Sequence, residues 1–268
     1  MNDLIRRALD VNQAYLSLGN EQFDAHGGSF VRNREVPEIR DSNHVTRITA
    51  SSPAEIDRLL VRVEREFADI PHRAYHIYSD TPPAIEARLA LEGYERNDAL
   101  VMLLEGDLAG EVKDHDIRLV GGEDSWQAYR TLHMAGWIAY REAAGEADPG
   151  AAGEAMFRSR RAKSPPMRYW LAHVDGGPTA YLASWEGLDG VGQVEDLYTQ
   201  PEFRHRGLAT ALIHHCVADC RSRGAGPVVI VCDPDGTPKQ MYAAMGFRPV
   251  AIKRSYWKKF GPQRGILS

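Results

Sequence analysis

The chain reads as an α/β protein, with helices flanking a mixed sheet. Two observations predict this. Short runs of β-branched, aromatic and aliphatic residues alternate along the chain with longer segments of helical periodicity. The order strand, helix, strand, helix, strand also occurs twice. Each copy passes through a Gly–aromatic pair after its second helix, Gly93-Tyr94 and Gly246-Phe247. The two copies are offset by about 150 residues, one domain length.

The elements follow in order. Residues 1–18 form a helix with Leu4, Ala8, Val11 and Leu16 on one face, and His26-Gly27-Gly28 breaks the chain after it. Residues 29–32 form a short strand, 37–43 a polar loop and 44–50 a strand. Ser52 caps the next helix and Pro53 opens its first turn, with Leu59, Leu60, Val63 and Phe67 as its apolar face. Residues 74–78 form a strand. Thr81 caps a helix that starts at Pro82 and Pro83 and ends at Gly93, and 96–104 return as a strand. The charged, Gly-containing stretch 105–115 is expected to link two domains, 1–104 and 116–268. In the second, 117–120 form a strand, 125–141 a helix and 153–161 another. The Ala/Gly-rich tract 143–153 between these helices is expected to be mobile. Residues 168–173, 179–185 and 192–199 are strands, the first two joined by an Asp175-Gly176-Gly177 hairpin turn. A helix from Leu208 ends near Gly224. Residues 228–232 form a strand, 237–245 a helix stopped by Gly246, and 249–257 the last strand.

The stretch VEDLYTQPEFRHRGLATAL, residues 194–212, organises the chain. It runs from strand through a basic turn bearing Gly207 into a helix. The first-turn amides of a helix have no intrahelical acceptor, and the helix dipole adds partial positive charge there. This is a recipe for binding phosphate, with Gly207 letting a ligand approach the backbone and Arg204 and Arg206 adding full charges.

Arg204-x-x-Gly207-x-Ala209 resembles the (Q/R)-x-x-G-x-(G/A) signature of the GNAT superfamily of N-acetyltransferases. Glu195-Asp196-Leu197-Tyr198-Thr199 looks like that family's fourth strand, and Tyr242-Ala-Ala-Met-Gly246-Phe247 like its Y-x-x-x-G-F. The resemblance covers residues 116–260 well and 44–104 faintly. It implies a GNAT-like fold, α/β (α+β mixed sheet), whose N-terminal half is degenerate: no such signature stands near Ala50-Ser51-Ser52-Pro53, and Leu89 takes the place of Tyr242. It also implies acetyl-CoA as acyl donor, held by Leu197, Tyr198, Thr199, Arg204, His205, Arg206, Gly207, Leu208, Ala209 and Thr210. Asp235, where the family has Asn, and Lys239 are minor anchors.

Acetyl transfer from a thioester to an amine needs a polarised carbonyl, a neutral amine and a proton for the leaving thiolate. The resemblance assigns the first to a backbone N–H near a bulge in the fourth strand, at Leu197, with Thr199 pairing the pantetheine, and the third to Tyr242, whose phenol is protonated at neutral pH. A lysine-like amine is neutral in only about 1 molecule in 2,500 at pH 7, so a base helps. Glu195 is the first candidate, because alternation turns it to the same side as Leu197 and Thr199 and turns Asp196 away. His133 and Glu142 are alternatives. An aromatic and cationic side of the first helix of the second half, with Trp126, Tyr129, Arg130, His133, Trp137, Tyr140 and Arg141, could bind the acceptor. Trp185 and Glu186 look into the same cleft.

Other classes are disfavoured. A net charge of −5 gives no basic field for nucleic acid or an anionic membrane, and the basic clusters 158–163 and Lys258-Lys259 read as solvated faces. Three cysteines and an N-terminus without an apolar core predict a cytoplasmic protein. His215, Cys216 and Cys220 share a helix but have no second ligand-bearing element, so they read as core groups and no metal is expected. The expectation is an N-acetyltransferase for a small amine, with a homodimer left open. The alternatives are a catalytically silent acyl-CoA-binding module and a protein N-acetyltransferase.

Overall fold

The computed structural model describes residues 2–143, 145 and 149–260. The described residues pack as two compact units, each discontinuous in sequence: those of 2–15 with those of 100–251, and those of 16–99 with 252–260. Helix α1 (Asp3–Ser17) opens the chain.

In the second unit, β1 (Glu21–Ala25) and β2 (Gly28–Arg32) form a hairpin. Its turn uses positive φ at His26 and Gly27, 48° and 77°. The His-Gly-Gly that reads as a helix breaker is thus a two-residue hairpin turn, and β1 is a strand the polar sequence EQFDA conceals. Strand β3 (His44–Thr46) pairs antiparallel with β2. It is shorter than expected because Arg47 takes φ 46°, which ends the extended run. A crossover through α2 (Pro53–Glu66) leads to β4 (His72–Ile77), parallel to β3. Helix α3 (Pro83–Leu91) follows, capped by Pro82 rather than Thr81. The Thr81 hydroxyl instead accepts from the Tyr78 amide at 3.1 Å. Strand β5 (Glu95–Leu104) completes this half of the sequence.

In the first unit, β6 (Asp116–Leu119) is followed by α4 (Glu123–Ala143) and α5 (Pro149–Ala162). Helix α5 begins four residues before the expected Gly153 because Pro149 is a favoured first-turn residue. Residues 144 and 146–148 of the tract expected to be mobile lie outside the described residues. Strands β7 (Arg168–Val174), β8 (Gly177–Leu188) and β9 (Val191–Thr199) continue the antiparallel order from β6. Helix α6 (Leu208–Ser222) then crosses to β10 (Val228–Cys232), parallel to β9. Helix α7 (Pro238–Ala244) and β11 (Arg248–Lys259) end the described chain.

Each unit takes one strand from the far end of the chain. Residues Leu100–Leu104 of β5 pair antiparallel with β10, and Arg254–Lys259 of β11 pair antiparallel with β4. In the first unit, Met102 and Leu104 join Leu182, Val194, Ile230, Leu212, Cys216 and Phe247 in the core under α6 and α7. Helix α4 covers the other face of this sheet, where Tyr129 lies 4.8 Å from Tyr181 between ring centroids. In the second unit Tyr256 of β11 packs with Leu59, Phe67 and Tyr75.

Leu104 is 1% exposed in a core that, apart from it and Met102, draws its buried residues from the second half of the sequence. Leu104→Ala is expected to lower unfolding stability by about 2–5 kcal/mol, read by urea denaturation. A chain starting at residue 105 should show no cooperative unfolding transition.

Candidate active site

The site is built on β9. Its pairing with β10 covers only Gly192, Gln193 and Val194, opposite Val228, Val229 and Ile230. Beyond Val194 the strand continues to Thr199 against β8 alone. There the β8–β9 register slips: Glu195 faces Ala183 and Tyr198 faces Tyr181, so Asp196 and Leu197 together oppose the single residue Leu182. This is a β-bulge, and Asp196 sits in it with φ 67°.

The bulge corrects one expectation. Cross-strand partners share a face, and Ala183 and Ala180 point to opposite faces of β8. Glu195, paired with Ala183, therefore lies opposite in facing to Thr199, paired with Ala180. Simple alternation fails because the extra residue shifts its phase. Glu195 is half-buried and accepts from Gln193 Nε2 at 2.7 Å.

After β9 the chain makes a short turn of 3-10 helix, Pro201–Phe203, and enters α6. His205 and Gly207 both have positive φ, 60° and 89°. Gly207 is the N-cap of α6, and no side chain caps the helix there. The first-turn amides are thus left open toward a cavity of about 590 Å³. Leu197, Tyr198, Thr199, Arg204, His205, Gly207, Leu208, Ala209 and Thr210 line it, all of them expected donor-site residues. Phe203, where the expected run of anchoring amides begins, also lines it, and Thr237, Pro238 and Met241, which the sequence reading did not single out, complete the lining. Arg206 turns away, donating to the Glu202 carbonyl at 3.1 Å with its guanidinium over the Phe203 ring. Asp235 and Lys239 line neither this cavity nor the next. The Asp235 amide donates to Asp233 at 2.8 Å, and Lys239 Nζ donates to the Pro234 carbonyl.

A second cavity of about 400 Å³ shares Leu197, Tyr198 and Arg204 with the first. Helix α4 supplies His133, Gly136, Trp137, Ala139 and Tyr140, and Arg160, Tyr181 and Pro201 close it. Gly136 has a steric reason: a Cβ there would stand 2.4 Å from the Tyr198 ring, so only glycine lets this wall of the cavity form. That signal, a glycine inside a helical pattern, was open to sequence reading. Of the expected acceptor residues, His133, Trp137 and Tyr140 line this cavity. Trp126 packs instead on Tyr129, Phe157 and Tyr169. Trp185 is buried and lines neither cavity, and Glu186 pairs with Arg168 and Arg223.

Under this cavity lies a buried polar cluster. Arg160 donates to Asp196 at 2.6 Å, and each side chain is 13% exposed. The segment 158–163 is therefore not simply a solvated face: helix α5 turns Arg160 inward, and Lys163 is buried with its Nζ 3.7 Å from the centre of the Tyr15 ring. Arg160 also donates to His133 Nδ1 at 2.8 Å, so His133 Nε2 carries the proton and donates to the Gly153 carbonyl at 3.1 Å. Burial, with Arg160 beside it, lowers the His133 pKa to about 4.

Tyr242 is 4% exposed in the core below α6. Burial raises its pKa above the ordinary phenol value, with the charges of Glu195 and Cys232 adding to it, so it stays protonated. Cys216 and Cys220 are core thiols whose pKa values burial likewise raises. Among the described residues, no group of three or more His, Cys, Asp or Glu is placed to hold a metal, and no helix is long and apolar enough to cross a membrane.

Residues 125–247 match the family model of the acetyltransferase (GNAT) family. No curated protein sequence matches the chain. Among solved structures, a GCN5-related N-acetyltransferase from Kribbella flavida aligns at 17% identity over 98% of this chain and 98% of that one, with a TM-score of 0.71. A conserved protein of unknown function from Staphylococcus epidermidis aligns at 15% identity over 90% and 95%, with a TM-score of 0.66. A tandem GNAT protein from the clavulanic acid biosynthesis pathway aligns at 14% identity over 79% and 71%, with a TM-score of 0.55. At such identities the likeness is one of fold, whereas the family model speaks for the sequence: this chain carries an acetyltransferase domain of the GNAT family over residues 125–247, and its fold is of the GNAT type.

Proposed function

We propose that the protein is an N-acetyltransferase that takes its acetyl group from acetyl-CoA and passes it directly to a primary amine of a small acceptor in a ternary complex. The observation that carries this reading is the meeting of two cavities at Leu197 and Tyr198. One is floored by an uncapped helix N-terminus, as a diphosphate requires. The other is walled by aromatic rings and is large enough for a small molecule. The strand between them leaves β10 after Val194, which opens the edge of residues 195–199 to a pantetheine arm.

In this reading the acceptor nitrogen attacks the thioester carbonyl carbon and forms the N–C bond. Negative charge develops on the carbonyl oxygen near the Leu197 amide. The C–S bond then breaks, and the thiolate takes the Tyr242 phenol proton. The proton shed by nitrogen leaves through Glu195 or water and restores the phenol. Glu195 supports a proton route because its charge is felt at Tyr242.

We further read residues 1–104 and 116–268 as tandem GNAT-like halves joined by 105–115. The helix stops support this. The Tyr94 amide donates to the Leu89 carbonyl at 3.0 Å, and the Phe247 amide to the Tyr242 carbonyl at 3.0 Å, with Gly93 and Gly246 both at positive φ. The first half has filled its own anion cradle. At the N-terminus of α2 the Glu55 carboxylate accepts from the Ser51 and Ser52 amides at 3.1 and 3.0 Å. Those hydrogen bonds lower its pKa to about 2, so an internal carboxylate stands where a phosphate would bind. This supports a donor site in the second half alone.

Three outcomes are expected. Calorimetry should show acetyl-CoA binding to the wild type and none to Gly207→Glu, which places bulk and negative charge in the cradle. Tyr242→Phe should lower kcat by about 10²-fold with little change in donor affinity, read by thiol release. His133 must charge to bind a proton, and its folded pKa of about 4 lies below the unfolded value. Its contribution to stability is therefore present above about pH 6.5 and is lost as pH falls toward 4, by up to roughly 3 kcal/mol. Thermal unfolding between pH 4 and 7 should show a flatter profile for His133→Gln than for the wild type.

A further inference from the structure

We infer that Arg160 and Asp196 are positioning residues for the acyl carbonyl, an inference that rests on the acyl-transfer reading above. Asp196 is the bulge residue with left-handed backbone, φ 67°. A non-glycine residue takes that conformation only when its surroundings hold it. Here the hold is the side chain. Its Oδ1 accepts from Arg160 Nη2 at 2.6 Å and its Oδ2 from the Tyr15 hydroxyl at 3.5 Å. Little water reaches the pair to compete, since each side chain is 13% exposed.

The guanidinium is fixed in turn. Its Nη1 donates to His133 Nδ1 at 2.8 Å, to the Tyr181 hydroxyl at 3.2 Å and to the Tyr129 hydroxyl at 3.4 Å. A neutral His133 can accept that bond because its proton is on Nε2, held by the Gly153 carbonyl. A chain of hydrogen bonds thus runs from α4 and α5 to the residue at which β8 and β9 lose register. Leu197 is the next residue, and it lines both cavities. Holding Asp196 left-handed fixes the plane of the peptide that carries the Leu197 N–H. Were Asp196 to relax to extended backbone, β9 would recover plain alternation and Leu197 would turn to the other face. The Arg160–Asp196 pair therefore acts through Leu197, without touching the donor itself.

The test is the infrared carbonyl stretch of 13C-acetyl-CoA bound to the full-length protein, with calorimetry and kcat beside it. The variants are Asp196→Gly, which tolerates positive φ but has no carboxylate, Asp196→Asn, and the double variant Arg160→Met with Asp196→Asn. The double variant leaves no buried charge unpaired, so it is the one to use if Asp196→Gly does not fold by circular dichroism. The wild type should shift the carbonyl stretch to lower frequency on binding. Asp196→Gly and the double variant should lose most of that shift and about 30- to 100-fold in kcat while binding acetyl-CoA within threefold of wild type. Asp196→Asn should fall between. A purely structural role would lower donor affinity and thermal stability together and leave the bound carbonyl stretch as in the wild type, and that result overturns the inference. Failure of the wild type to bind acetyl-CoA would instead remove the acyl-transfer reading on which it rests.

Discussion

Strand β9 is asked to do two incompatible things, and the site follows from how it resolves them. Up to Val194 it is an interior strand, paired on both sides and buried. After Val194 it gives up its parallel partner while keeping β8. A strand edge left open in a sheet interior exposes amides that need acceptors, so it is stable only beside something that supplies them or keeps water at hand. The bulge at Asp196, the parting from β10 and the uncapped α6 all fall within a few residues of that point. Two cavities flank it and share Leu197 and Tyr198.

The two helix N-termini that follow a parallel-strand crossover make a natural contrast. At α2 the amides are saturated by Glu55 and Ser52. At α6 the corresponding cap is a glycine with no side chain to offer. One helix end has been sealed from within, the other left with its donors open. The open donors at α6 carry the partial positive charge that attracts an anion, whereas at α2 a carboxylate of the chain itself already meets them.

Much of this was legible in the sequence, for identifiable reasons. Gly207, the basic turn and the helix after it are local features, and local sequence fixes them. The same holds for Ser52 and Pro53 at the start of α2, and for the glycines that stop α3 and α7. What escaped was set by contacts far apart in the chain. Arg160 reads as one of several basic residues on a helix and becomes a buried ion-pair partner only when β9 brings Asp196 beneath it. The resemblance implies a bulge in this strand, but no residue type marks where it falls, and the facing of Glu195 was misread because plain alternation was carried across it. Trp126 and Trp137 look alike on a helical wheel, yet one packs among Tyr129, Phe157 and Tyr169 and the other lines a cavity. Strand β1, with charged and polar residues at three of its five positions, offers almost no hydrophobic pattern to find.

The crossed supply of strands has a consequence for the living chain. The unit built mainly from residues 16–99 pairs its strand β4 with residues 254–259, which are synthesised long after β4. During translation that edge of β4 waits, unpaired, until β11 emerges from the ribosome, exposing buried-type residues such as Tyr75 and Ile77 meanwhile. Cut between β5 and β6, each half of the sequence would leave behind a strand that the other pairs with. The pairing of β4 is completed only once β11 has emerged, and during that interval chaperones and proteases have their best access to it.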